Sequence, residues 1–259
     1  MFEEIFKELE KIPDYENYLY AAMLIFPRFL GFIVIAPVFN RKDIPSMAKL
    51  GFAIMMTVAF LGNFEHTAPP AETSFFLSIF LNFIFGLLIG FIALTIFETI
   101  RAAGEMVNMQ MGMQSSVMFD QNSKNQSSVM ERFFMYLGTV IFIHIGGLFW
   151  IFIAFKRGFD IFPLYGTSLP LQEVVNLNYV IYLTGNVLFI GLQLASPIII
   201  TTLCQDLILG VISKTAPQVN VFQLSFLFKP VIGSLIMLII LPLIANSIVD
   251  YFYYYAKIY

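Results

Sequence analysis

Apolar residues along the chain gather into six continuous runs, at about 18–39, 47–62, 75–97, 133–155, 179–203 and 230–250. A helix needs about 20 residues, at 1.5 Å per residue, to cross the hydrocarbon core of a bilayer. Five of the six runs reach that length; the second is short, and Lys49 near its start must snorkel. Helices satisfy their own backbone polar groups in lipid, whereas membrane β-strands would show short alternating segments. The pattern therefore predicts an all-α polytopic membrane protein of about six hydrophobic helices. Pro27, Pro37, Pro197 and Pro242 lie inside or at the ends of the runs, and Asn82, Asn186, Gln193 and Asn246 add polar side chains at depth. Each proline frees a carbonyl that needs another partner, so kinked helices packed against protein, other subunits above all, are expected. Ordinary intramembrane kinks are the plainer reading.

Polar segments refine this picture. The first seventeen residues carry six acids and two lysines, which is unlike the basic start of a secretory signal, so no cleaved signal is expected. Phe2, Ile5, Phe6, Leu9 and Ile12 keep a helical spacing, which suits either a short amphipathic surface helix or a frayed terminus. With the N-terminus outside, the connections place eight Lys and Arg inside and five outside, a weak positive-inside bias. Tyr251, Tyr253, Tyr254 and Tyr255 read as an aromatic anchor at the last interface.

Composition narrows the function. Hydrophobic residues make up 59% of the 259 and charged residues 12%, against about 45–50% and about 25% in soluble domains. A soluble enzyme could not hide so much apolar surface, and a disordered chain would not contain it. A net charge of −3 gives no sign of a nucleic-acid partner, and the lone Cys204 excludes an internal disulfide and a Cys-rich metal site. No HExxH, GxSxG, P-loop or GxGxxG occurs, and no catalytic, cofactor or metal residues are expected. Ser115, Ser116, Ser127 and Ser128 have no nearby base in sequence, and His144 is expected to be a hydrogen-bonded packing residue.

Three features remain. Arg28 stands in the middle of the first run, where a charge costs at least about 2.5–3.5 kcal/mol on insertion scales. It must face a carboxylate, helix-end carbonyls or water, as a subunit-locking contact or a conduit-facing charge, unless the helix sits shallow and the side chain snorkels. The stretch 98–132 holds six of the thirteen methionines among Gln, Asn, Ser and Gly. Methionine seals irregular or changing surfaces, so the stretch reads either as a re-entrant loop that closes a conduit or as an amphipathic loop on the membrane. Between the last two runs, Pro217 breaks the helix and marks the turn of a hairpin.

Several short patches stand in order along nearly the whole chain. Arg28 is followed by Ala36-Pro37-Val38-Phe39 and Ile44-Pro45. Gly104-Glu105 leads into Gln110-Met111-Gly112, and Ala195-Ser196-Pro197 is followed by Asp206 and Gly210. The most specific patch is Ala216-Pro217-Gln218-Val219-Asn220-Val221-Phe222 with Lys229-Pro230 and Gly233. Together these patches resemble the FliR family of flagellar export-gate proteins, whose injectisome counterparts are the SctT proteins. Family members usually carry an acid and Pro where this chain has Asp120-Gln121.

The resemblance implies a non-enzymatic subunit of the type III protein export gate in the bacterial inner membrane; it covers flagellum and injectisome alike, and the plug start reads closer to the flagellar branch and thus to the flagellar basal body. It implies FliP- and FliQ-type partners, an FlhB-type contact and unfolded secreted proteins as cargo, with no cofactor. It divides the chain into an amphipathic segment 1–17, three hydrophobic helices in 18–97, and a Met-rich plug in 98–132. A fourth helix with its connection, 133–178, completes a P-like first part, and 179–259 is a Q-like helical hairpin. The plug residues it implies are Gly104, Met106, Met109, Met111, Gly112, Met113, Met118 and Phe119, with Gly104 and Gly112 giving the backbone freedom to swing. The subunit contacts it implies are Arg28, Pro37, Pro217, Gln218, Asn220, Phe222 and Lys229. The rivals are a stand-alone transporter or channel, for which the chain shows no convincing internal repeat, and an intramembrane enzyme, which would need an acid or nucleophile pair at depth.

Overall fold

A computed structural model describes residues 15–39, 44–62, 74–114, 128–165 and 177–256; the amphipathic reading of the N-terminal segment, on Phe2 to Ile12, lies outside them. Among the described residues there are eight α-helices and no strand. They are α1 (Tyr15–Ile35), α2 (Ser46–Leu61), α3 (Phe75–Gln110), α4 (Val129–His144), α5 (Gly147–Ile161), α6 (Leu177–Gly185), α7 (Val187–Thr215) and α8 (Val221–Ala256). Tyr15–Ile35, Phe75–Gln110, Leu177–Thr215 and Val221–Ala256 are long and apolar enough to cross a membrane, and α4 with α5 makes a fifth candidate bent by 71°. The shorter apolar α2 accounts for the remaining run. The protein is thus all-α and polytopic, as the apolar runs predict.

The ends of the helices depart from the ends of the apolar runs. α3 does not stop near 97 but continues to Gln110, α7 reaches Thr215, and α8 begins at Val221. Charged side chains in these extensions pair with one another, so the helix outlasts its apolar stretch. Pro27, Pro197, Pro230 and Pro242 lie inside helices, whereas the 71° bend falls at a glycine, Gly146, with φ +80°.

The chain divides into two compact units, the first made of residues 1–94 and 151–180 and the second of 95–150 and 181–259. In the first, Phe29 of α1 lies 4.4 Å from Phe155 and 5.1 Å from Phe60 between ring centroids, within a core that includes Leu24, Ile25, Phe32 and Phe159. α1 and α3 meet backbone to backbone. A Cβ at Gly86 would stand 1.9 Å from the Arg28 carbonyl oxygen, and one at Gly31 would stand 2.4 Å from that of Phe83. Gly86 and Gly90 form a GxxxG pair, the small-residue spacing that lets membrane helices approach closely.

In the second unit, Phe97, Phe142 and Phe252 share a core, and the Tyr251 hydroxyl donates to the Ile96 carbonyl at 3.2 Å. Tyr251 and Tyr255 are buried while Tyr253 and Tyr254 are exposed. Only the latter two can therefore serve the interfacial anchor expected of all four. α7 and α8 form an antiparallel hairpin turned at 216–220, with Lys229 Nζ 2.6 Å from Asp206 Oδ1 across it.

Candidate functional site

Arg28 is fully buried, at 0% exposure. Its Nε and Nη2 donate to Asn82 Oδ1 at 3.0 and 2.6 Å, Nη1 donates to the Gly158 carbonyl at 3.3 Å, and Nη2 also donates to the Phe162 carbonyl at 2.8 Å. Gly158 lies in the last turn of α5, its carbonyl also accepting from the Phe162 N–H at 3.0 Å, and Phe162 lies just past the end, where helix carbonyls carry partial negative charge. The guanidinium carbon lies 4.0 Å from the centre of the Phe159 ring and 4.8 Å from that of Phe85. Asn82 Nδ2 in turn donates to the Ser78 and Leu164 carbonyls at 2.8 and 3.1 Å.

Of the three environments open to this arginine, helix-end carbonyls are the one it finds. No carboxylate pairs with it among the described residues. The enclosed guanidinium braces α1, α3 and α5 of its own chain. Asn82, already noted as polar at depth, belongs to a buried ladder of Ser78, Asn82, Gly86 and Gly90. That i, i+4 stripe of small and polar residues was visible in the sequence and is the signal that could have paired α3 with Arg28.

The Met-rich stretch begins inside α3. Gly104 is a close-packed helical residue and not a hinge, because a Cβ there would lie 2.8 Å from both Glu131 Cα and the Met130 carbonyl oxygen. Met106 is half-buried, Met109 is 54% exposed and Met111 is 0% exposed. Gly112 ends the helix with φ +69°. Its N–H donates to the Met109 carbonyl at 3.0 Å, and the Met113 N–H donates to the Asn108 carbonyl at 3.1 Å. These two bonds make a Schellman motif, so Gly112 is a pinned stop where freedom to swing was expected. Met118 and Phe119 lie outside the described residues.

α4 begins with a capping box: Glu131 N donates to Ser128 Oγ at 3.2 Å, and Ser128 N donates to Glu131 Oε2 at 3.0 Å. Ser128 Oγ also donates to Glu105 Oε2 at 2.6 Å, and Arg101 Nε donates to Glu131 Oε1. Nη1 of the same arginine donates to Glu98 Oε1 at 3.2 Å. The end of α3 is therefore tied to the start of α4, and Ser128 acts as a helix cap. His144 is exposed in the last turn of α4 rather than packed.

At the hairpin turn Pro217, Gln218, Asn220 and Phe222 are exposed, Phe222 at 81%. Asn220 caps α8, its Oδ1 accepting from the Gln223 N–H at 3.3 Å. Lys229 pairs with Asp206 and holds the hairpin. Pro37 is half-buried in the turn that follows α1.

Residues 19–254 match the family model described as bacterial export proteins, family 1. The chain is 30% identical over 222 residues to the flagellar biosynthetic protein FliR of Escherichia coli K12, covering 84% of this chain and 83% of the relative. It is 29% identical to the protein of the same name from Aquifex aeolicus, over 94% of each. It is also 27% identical to the surface presentation of antigens protein SpaR of Shigella flexneri, over 85% of this chain and 87% of that protein. The match spans both units, from the helix that carries Arg28 to the hairpin held by Lys229, and this chain belongs to the bacterial export proteins, family 1.

Proposed function

We propose that the chain is a non-enzymatic subunit of the type III protein export gate of the bacterial inner membrane. In this reading it forms and seals the protein-conducting channel together with FliP- and FliQ-type subunits, beside an FlhB-type protein, and passes unfolded protein substrates. The observation that carries the reading is the match of residues 19–254 to a family of export proteins. The flagellar name of the Escherichia coli and Aquifex relatives supports a place in the flagellar basal body.

The geometry supports such a subunit in two ways. α7 and α8 leave large apolar side chains exposed along their length, among them Leu207, Val211, Leu238 and Ile239, which suits burial against lipid or neighbouring subunits. The Met-rich end of α3 presents Met106, Met109 and Met113 beside a fixed helix stop at Gly112. Flexible thioethers at that place would close around a narrow passage and repack around a moving chain. The exposed turn at Pro217, Gln218, Asn220 and Phe222 would meet a neighbouring export component.

Affinity purification of the tagged chain from its native membrane tests the assembly. P- and Q-type subunits should copurify, and photo-crosslinkers at Gln218 and Phe222 should capture protein. A chain that purifies alone and crosslinks only to lipid would favour the stand-alone transporter.

A further inference from the structure

We propose that Gly233 is the seat of Met111 and that the unpartnered amide of Asn108 keeps this seat releasable, so that the three residues form a catch for the Met-rich seal. The inference rests on the reading of the Met-rich stretch as the seal.

A Cβ on Gly233 would lie 3.0 Å from both Cγ and Cε of Met111 and 3.3 Å from its Sδ. The thioether therefore runs along bare backbone of α8, in a notch that only glycine leaves open. Met237, one turn further along α8, is buried as well. The Schellman bonds at Gly112 fix the last turn of α3, and with it the direction in which Met111 projects.

The buried face of α3 that leads to this contact is apolar: Ile100, Ala103, Val107 and Met111 are all 0% exposed. Asn108 interrupts it. Its side chain is also 0% exposed, and neither Oδ1 nor Nδ2 has a hydrogen-bond partner among the described residues. An unpartnered buried amide destabilises the arrangement that buries it, and any state in which the end of α3 loosens enough to let water reach the amide relieves that cost. A face meant only for permanent packing would be better served by Leu at this position. Burial of Met111 and the orphaned amide of Asn108 thus oppose each other across a single helical turn.

Peroxide footprinting of the purified export complex tests the catch, because exposed methionine is converted to its sulfoxide and enclosed methionine is protected. Met111 oxidation is read by peptide mass spectrometry against the same chain unfolded. In the wild type Met111 should be strongly protected. Gly233→Val should abolish that protection, and Gly233→Ala should weaken it; the milder variant keeps the test open if the larger one does not fold. Asn108→Leu should slow Met111 oxidation by about tenfold, the worth of one unsatisfied amide. Equal Met111 rates in the wild type, Gly233→Ala and Asn108→Leu would overturn the proposal, even in a complex whose Met-rich stretch proves to be the seal. The expected order of rates would establish the catch even if shortening that stretch left the membrane tight, in which case only the seal reading falls.

Discussion

Arg28 and Arg101 are the same residue type solved in opposite ways. Arg28 has no carboxylate partner among the described residues and is held by one amide oxygen, two carbonyls and aromatic faces. Arg101 has two carboxylates, Glu98 and Glu131, and its side chain remains 46% exposed. The first arrangement fixes geometry, because every acceptor has a set position and no water competes. The second is screened by solvent and can be exchanged at little cost. A buried charge without a counterion therefore marks a static brace here, and an ion pair whose arginine stays in water marks a joint that can yield.

Breaking the brace should have the largest effect. Arg28→Leu leaves Asn82 Oδ1 and the Phe162 carbonyl without their donor, at a cost of about 1–3 kcal/mol for each unsatisfied group, while the Gly158 carbonyl keeps the Phe162 N–H. The folded chain should lose several degrees in its thermal midpoint in detergent. Arg28→Lys should recover only part, since an ammonium lacks the planar fork that reaches Asn82 twice. An unchanged midpoint in Arg28→Leu would mean that the buried contacts are not the brace.

Gly86→Ala comes next. Its Cβ would meet the carbonyl of Arg28 itself, and relief requires α1 and α3 to separate, at about 1–3 kcal/mol, the usual range for overpacking. The same assay should show a smaller loss than Arg28→Leu, while Gly51→Ala, with nothing within 4 Å of its Cβ, should be neutral. Equal effects at the two glycines would remove the close crossing from the account.

Arg101→Ala should be the mildest, because the arginine is 46% exposed and the buried Glu131 keeps the Ser128 N–H; the cost should be about 1 kcal/mol and smaller at high salt. A large, salt-independent loss would show that Arg101 is as fixed as Arg28 and would erase the contrast.

The sequence made parts of this legible. Six apolar runs predict the helices because lipid demands long uninterrupted apolar segments, and Pro217 marks the hairpin turn because proline cannot continue a helix there. The end of α3 was not legible from hydropathy: Glu98, Arg101 and Glu105 break the apolar run, yet their side chains pair locally and with α4, so the helix continues. Its true stop was written in Gly112, and the start of α4 in the Ser128-x-x-Glu131 spacing, both signals of helix ends rather than of hydrophobicity. Arg28 stood out as an anomaly, but its partner lies 54 residues away, and only the ladder of Ser78, Asn82, Gly86 and Gly90 hinted at it. Met109 and Met111 look alike in sequence; burial separates them because Gly233 offers room to one.

Ion conductance of membranes that hold the assembled export complex, compared at equal complex abundance, tests the sealing role most directly. A chain shortened within the Met-rich stretch should assemble and leak ions and small solutes, and the combined substitution Met109→Ser, Met111→Ser and Met113→Ser should leak in the same way to a lesser degree. A shortened complex that assembles and stays as tight as the wild type would contradict the account, and the stretch would then be an amphipathic surface loop.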